Sequence, residues 1–433
     1  MQNNATYKTK LISVDQWGTN QWISMNGAFY GASNMQLLAT DIPDLSKVKD
    51  MTSMFYGASS FNGDLSNWDV SNVTAMINMF YGATSFSSDL SAWEVGEVTT
   101  MQNMFLNASS FNSDLSGWNV ENVTNMQAMF QNATNFVSDL SGRNVSKVIS
   151  MQQMFNNVAN FSSDLSNWDV GKVTTMQGMF QGASSFNSDL NNWDVSKVTN
   201  MSQMFYNATS FDSDLNDWDV SKVTTMYYMF HGAKVFNGSL SGRNTASLTG
   251  NGMQFMFASA TNFNQPVNHF NTSNITTLQA TFQSASSFNQ PLNNWDISKV
   301  TSTQQMFNGA ASFDQNLDSW DVSKVTTMYQ MFTNARNFNG SLSGWNTVSL
   351  TGNGMTQMFL NASSFNQPIN HFKTDNITTL ASTFQGATKF DQDLSNWNVE
   401  NVTVFTNFLN GVKLSQYNYN ALLDFRSQQN VAT

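Results

Sequence analysis

The chain has no cysteine in its 433 residues. That excludes disulfides, thiolate metal centres, a cysteine nucleophile and a lipidated cysteine anchor. Charge is scarce. Asp, Glu, Lys and Arg make up 11% of the sequence, against the usual quarter. Basic residues number 18 against 29 acidic ones, for a net charge of −11. Such a chain lacks the electrostatic footprint of a nucleic-acid binder and would be repelled by anionic lipid. Proline is confined to four positions and histidine to three. No apolar run reaches the length of a membrane span. Asn3, Asn4, Lys8, Lys10 and Asp15 stand where a signal peptide would be apolar. The chain as given shows no address and no anchor, so the expectation is either a cytoplasmic protein or a piece of something larger.

What the chain does have is repetition. Phe55 has equivalents at Phe29, Phe80, Phe105, Phe130, Phe155, Phe180, Phe205, Phe230, Phe257, Phe282, Phe307, Phe332, Phe359, Phe384 and Leu409. The step is 25 residues almost throughout; it is 26 once and 27 twice. The two longer units contain the same segment, SLTGNGM, at Ser247–Met253 and Ser349–Met355, 102 residues apart, so a four-unit block is duplicated. A period of this length signals a solenoid, whose units bury a core only by stacking on one another.

Within a unit, Met51, Met54, Phe55 and Ala58 fall at i, i+3, i+4 and i+7, the spacing of one helix stripe. A threonine such as Thr74 precedes each stripe as an N-cap candidate. Two residues after the register Phe stands Gly in eight units, Asn in six and Ser in two. Gly and Asn tolerate the left-handed backbone that ends a helix. The second half, with Leu65, Trp68 and Val70 among polar residues, predicts a strand with a bend near Ser66. The expected fold is a repeat solenoid with a parallel β-strand on one face and a short α- or 3-10 helix on the other. Residues 1–27 are expected to form an N-terminal cap, residues 28–410 about sixteen coils, and residues 411–433 a C-terminal cap.

The units MFYGASSFNGDLSNWDVSNVT (Met54–Thr74) and MFQGASSFNSDLNNWDVSKVT (Met179–Thr199) resemble the BspA-type bacterial surface repeat, a relative of the leucine-rich repeat. The flanks Val14–Met35 and Leu409–Leu423 are similar to those of such proteins. The resemblance spans essentially the whole chain. It implies a right-handed, leucine-rich-repeat-like solenoid, a cell-surface or secreted location, and adhesion or recognition in place of catalysis.

Three ladders follow from the register. Phe61, Phe86, Phe111, Phe136, Phe161, Phe186, Phe211, Phe236, Phe263, Phe288, Phe313, Phe338, Phe365 and Phe390 recur without substitution and are assigned to the core. A second slot holds Trp68, Trp93, Trp118, Arg143, Trp168, Trp193, Trp218, Arg243, Trp295, Trp320, Trp345 and Trp397, with His269-Phe270 and His371-Phe372 in the two remaining units. A buried slot should not take a lone Arg, so this one is expected to reach solvent. Its rings either cover strand edges or form an aromatic strip that contacts a partner. The third ladder, Asp64, Asp89, Asp114, Asp139, Asp164, Asp189 and Asp214, continues as Ser239, Pro266, Pro291, Asn316, Ser341 and Pro368. Those residue types share turn formation, so turns are preferred to a calcium site.

No nucleophile–base pair, phosphate loop or metal-ligand spacing appears. Carboxylate pairs recur in every unit, but no single site breaks the repeat as catalysis would require. The expectation is therefore a non-enzyme with no cofactor and no metal. It presents a repeated surface to a protein or glycan on a host or neighbouring cell, without binding nucleic acid or entering a membrane. The alternative is a structural scaffold that self-associates into filaments.

Overall fold

The computed structural model describes residues 9–427. The chain divides into two compact units: Met1–Ser213 with Asp217–Asp219, and Asp214–Asn216 with Val220–Thr433. Each unit is a stack of coils of the kind the period predicts. In the first, parallel bridges run Asp50 to Ala75, Thr100, Asn125, Ser150, Thr175 and Asn200, one coil at a time. In the second they join Thr277, Ser302 and Thr327, and Thr379 to Val404.

The coil is not a strand and a helix. Among the described residues, the helix Gln416–Ser427 (α1) lies outside the repeats, and the two-residue strands Ser13–Val14 (β1) and Gln36–Leu37 (β2) belong to the first turns of the chain. The amides of Met51, Ser53, Phe55 and Gly57 donate to the carbonyls of Ala75, Ile77, Met79 and Tyr81 in the next coil, at 3.0, 2.8, 2.8 and 2.6 Å. The alternate amides of Met54, Tyr56 and Ala58 donate three residues back, to Met51, Ser53 and Phe55, at 3.2, 3.2 and 3.1 Å. Ser53 and Gly57 have φ of 56° and 66°, which places a left-handed residue third in the turns Met51–Met54 and Phe55–Ala58, the signature of type II. The stripe expected to be helical is thus a run of tandem turns. A helix would consume every amide internally; here every second one is given to the neighbouring coil. Thr74 accordingly caps nothing. Its amide and Oγ1 both donate to the Lys49 carbonyl of the preceding coil, at 2.9 and 3.1 Å.

The second half of the coil is also made of turns. Trp68 N–H donates to Leu65 at 3.1 Å and Val73 N–H to Val70 at 2.9 Å. The bend foreseen at Ser66 is the first of these turns, and the strand around it is absent.

The core is the set the register assigns. Met51, Met54, Phe55, Ala58, Phe61, Leu65, Val70 and Val73 are buried, and so are their equivalents in the coils between the first and the last. Within a coil the two phenyl rings stack on each other, as Phe80 and Phe86 do at 4.0 Å. Between coils each ring stacks on its equivalent, Phe61 on Phe86 at 5.9 Å.

At the N-terminal side, β1 pairs in parallel with β2. Trp17 is buried there, edge-on to Trp68 at 5.3 Å and to Phe29 at 5.9 Å. The C-terminal segment behaves differently. α1 is held by Asn418 and Ser415, which donate to Asp391. Tyr417, Tyr419 and Leu423 are exposed, and Leu414 and Leu422 half-buried. Phe425 lies outside the residues whose side chains are described.

Coil spacing varies across each unit. Equivalent rings that remain parallel are related by the coil-to-coil translation, so their separation measures it. Tyr30, Tyr56 and Tyr81 are 4.6 and 4.4 Å apart, tilted by 2° and 6°. Phe55 and Phe80 are 5.4 Å apart, Phe86 and Phe111 6.0 Å, and Trp93 and Trp118 6.5 Å. The coils of the first unit therefore fan out, closest at the tandem turns and widest at the tryptophans. In the second unit Phe230 and Phe257 are 5.6 Å apart and Phe236 and Phe263 5.8 Å. The bulky rings stand on the wide side, and the compact left-handed turns on the narrow one.

Candidate functional site

The tryptophan slot does not reach solvent. Trp68 is 6% exposed and Trp93, Trp118, Trp168, Trp193, Trp218, Trp295, Trp320, Trp345 and Trp397 between 1% and 3%. The physical reason is a hydrogen bond. The indole Nε1–H of Trp93, Trp118, Trp168, Trp193 and Trp218 donates to Leu65, Leu90, Leu140, Leu165 and Leu190 of the preceding coil, at 2.8–3.0 Å. Trp295, Trp320, Trp345 and Trp397 do the same to Val267, Leu292, Leu317 and Ile369. Each bond gives a buried indole N–H its partner, on a carbonyl that also accepts an amide of its own coil, as Leu65 accepts the Trp68 N–H.

The substitutions obey the same requirement. Arg243 is 5% exposed and its Nη2 donates to Leu215 at 2.5 Å. Burial pushes the guanidinium down to about 9, which leaves it charged at neutral pH. In the two Phe units the roles are split. Phe270 and Phe372 fill the slot and are buried. His269 Nε2 meets the Leu240 carbonyl at 3.0 Å and His371 Nε2 the Leu342 carbonyl at 3.3 Å; opposite a carbonyl, that nitrogen must carry the proton. Arg143 is the exception. It is half-buried, donates from Nη1 to Trp118 and leaves its Nε without a partner. An apolar cavity of about 20 Å³, lined by Trp118, Phe130, Met154 and Trp168, remains beside it. Rings buried to this degree present no face to solvent, contrary to the expectation that this slot is exposed.

The aspartate ladder makes turns. Asp64, Asp89, Asp114, Asp139 and Asp164 each accept, through Oδ1, the amide of the serine two residues on, at 2.8–2.9 Å. Those amides hold the carboxyls below the ordinary aspartate range, and nearby serine hydroxyls add to the effect. Among the described residues no group of three or more His, Cys, Asp or Glu is placed to hold a metal.

What remains is the narrow side, the tandem-turn face. Positions equivalent to 52, 53, 56 and 57 are half-buried in the coil of Phe55. Across all sixteen coils these positions contain no Asp, Glu, Lys or Arg. They are Asn, Gln, Ser, Thr, Gly and Tyr in the main. The chain's charge is carried by loops such as Asp64–Asn72. Side-chain amides tie this face together along the stack. Asn103 donates to Asn78 at 2.9 Å, Asn132 to Asn107 at 2.7 Å and Asn157 to Asn132 at 2.8 Å. In the second unit Gln305 donates to Gln330 at 2.7 Å. Tyr30, Tyr56 and Tyr81 form a ladder at the start of the first unit. Partial burial, with the flanking tyrosines, pushes the Tyr56 hydroxyl up. Neither this face nor its lack of charge emerged from sequence reasoning, although the composition of the four positions was the signal that could have found it.

A family described as "Mycoplasma protein of unknown function, DUF285" matches the chain over residues 23–143, 135–243, 243–345 and 312–422. No curated protein sequence matches it. Among solved structures, a leucine-rich repeat protein from Bacteroides ovatus is similar at 12% identity, covering 94% of this chain and 91% of its own, with a TM-score of 0.42. A leucine rich cell surface protein from Faecalibacterium prausnitzii is similar at 13% identity, covering 94% and 89%, with a TM-score of 0.38.

Proposed function

The chain belongs to the DUF285 family of Mycoplasma proteins of unknown function, and from that premise we propose that it is a recognition protein of the cell exterior, without catalytic activity, binding a protein or glycan through its tandem-turn face. The observation that carries this reading is the absence of charge from that face in every coil of an acidic chain. Most of these positions are half-buried or buried, where a charge is costly, and the uncharged polar residues that fill them keep hydrogen-bonding groups at the surface without that cost. Gln, Asn, Gly and Tyr dominate here, and Asn, Gly and Tyr are also residues of adaptable binding surfaces, where they offer area and hydrogen bonds at low entropic cost. The amide ladders pre-organise the surface, which lowers the cost of binding. Repetition lets weak contacts add along an extended partner. Among the described residues no helix is long and apolar enough to cross a membrane.

The test is a variant with Tyr30, Tyr56 and Tyr81 all changed to Ser, screened beside the parent chain against arrays of glycans and of extracellular proteins. Binding by the parent that is lost in a variant with an unchanged melt supports the reading. Binding that survives intact places the contact surface elsewhere.

A further inference from the structure

The tyrosine ladder narrows the class of partner, on the premise that the tandem-turn face is the contact surface. Three features act together. Chemically, the face around Tyr30, Tyr56 and Tyr81 offers phenol hydroxyls, the amides of Asn78 and Asn103, and no formal charge. It suits a ligand rich in hydroxyls and poor in ions. A polyanion would gain nothing from it and would be repelled by a chain of net charge −11. Geometrically, the tyrosines repeat by pure translation, 4.6 and 4.4 Å per coil with tilts of 2° and 6°. A globular protein surface has no translational repeat with which to use such a ladder; an extended polymer does. One sugar of an extended hexose chain spans about the length of one coil. Sterically, the tyrosines stack on each other, so their edges and not their faces are presented. Recognition then works through hydroxyls and ring edges laid along the ligand. No Arg or Trp protrudes from this face, and those side chains are frequent anchors of protein interfaces.

We infer that the face of Tyr30, Tyr56 and Tyr81 binds an unbranched, uncharged polysaccharide lying along the stack of coils, with one sugar per coil. The adjoining Asn78 and Asn103 hydrogen-bond to each other at 2.9 Å, which fixes their remaining donor and acceptor positions toward the ligand. Leu106 follows Tyr81 in the next coil, so the hydroxyl row ends there and the longest run of phenols spans three coils.

The experiment is calorimetric titration of the whole chain with cello-oligosaccharides from the dimer to the hexamer, with xylo- and manno-oligosaccharides and oligogalacturonate alongside. Affinity is expected to rise from dimer to tetramer with at least one of the neutral series and to be absent for oligogalacturonate. Changing Tyr56 alone to Ser should weaken the tetramer by about tenfold, the scale of a genuine contact residue, and Tyr56→Phe, which keeps the stack and removes the hydroxyl, by nearly as much. No length-dependent binding in any neutral series overturns the inference. If the protein arrays then yield a partner that the triple Tyr→Ser variant loses, the face is still the contact surface and only the polysaccharide assignment fails. If oligosaccharides bind equally well to the triple variant, both readings fall.

Discussion

The indole Nε1 of Trp93 lies 2.9 Å from the carbonyl oxygen of Leu65, in the coil before it. The same bond recurs along the stack, and it explains why one slot accepts Trp, Arg and a His-Phe pair. The slot requires a flat apolar body and an N–H that reaches one buried carbonyl. Arg243 supplies both through its guanidinium, and His269 with Phe270 supplies them from two residues. Charge is incidental to the substitution.

Trp193→Phe keeps the ring volume in part and removes the donor to Leu165. The Leu165 carbonyl still accepts the Trp168 amide, so what is lost is one buried hydrogen bond, about 0.5–1.5 kcal/mol. Chemical denaturation should show a loss in that range, smaller than the ~3–5 kcal/mol of a full truncation such as Phe186→Ala. The native Phe coils suggest a rescue. Adding Asn192→His beside Trp193→Phe reproduces the His269-Phe270 arrangement and should recover part of the loss. A Phe single variant as stable as the parent would mean the indole bond contributes nothing.

Arg143→Trp is expected to stabilise. It fills the cavity beside Trp118 and Trp168, removes a half-buried Nε without a partner, and restores a donor for Leu115. Cavity-filling changes of this kind give about 0.5–2 kcal/mol. Differential scanning calorimetry would read this as a higher melting temperature. A decrease would show that the local backbone has adapted to Arg143 and no longer admits an indole.

How far the fold was legible depended on whether a residue type has one physical meaning. The period, the Phe61 ladder and the left-handed slot at Gly57 could be read because Phe in every unit means core and Gly or Asn means positive φ. Gly57, Asn107 and Asn361 have φ of 66°, 62° and 57°. The helix could not be distinguished from tandem turns, because both place Met51, Met54, Phe55 and Ala58 on one side. The evidence against a helix is a second left-handed position four residues earlier, held by Ser53, Ala128, Gln203 and Tyr228 with φ of 50–59°. Those residues gave no signal. The tryptophans were misread because Arg143 and Arg243 were weighed as charges and not as N–H donors.

The aspartate ladder predicts how stability varies with pH. Asp64, Asp89, Asp114, Asp139 and Asp164 have folded pKa values lowered mainly by the amides they accept. A lowered folded pKa means stability that is present above the unfolded value and lost as pH falls through the folded one. The melting temperature should be flat from neutral pH down to about 5 and then decline below about 4. Repulsion within the ladder would give the opposite sign, a protein that gains stability on mild acidification. EDTA should leave the melt unchanged; a drop reversed by calcium would replace the turn role with a metal site.

A pair of glycine exchanges tests the tandem turns directly, because helix and turn predict opposite signs. Gln203 and Gly178 occupy the same slot of neighbouring coils, with φ of 59° in both. In a helix, Gln203→Gly would cost close to 1 kcal/mol and Gly178→Ala would return about as much. At a left-handed position an L-residue carries a cost of roughly 1–2 kcal/mol, which outweighs the ~0.5–1 kcal/mol that glycine loses in chain entropy. Gln203→Gly should therefore be neutral or stabilising, by up to ~1 kcal/mol on the difference of those two terms. Gly178→Ala should destabilise by a similar amount on the same balance. Crowding does not decide the second case, since the new Cβ would lie 3.3 Å from the Gln153 Cγ and the Gln181 Oε1, both on side chains that can shift. Urea melts of the two single variants give the answer. If Gln203→Gly destabilises and Gly178→Ala stabilises, the segment from Met176 to Gln181 is helical in solution, and the amides of Met176, Gly178 and Phe180, which donate to Asn200, Ser202 and Met204 in the structure, are bonded within their own coil instead.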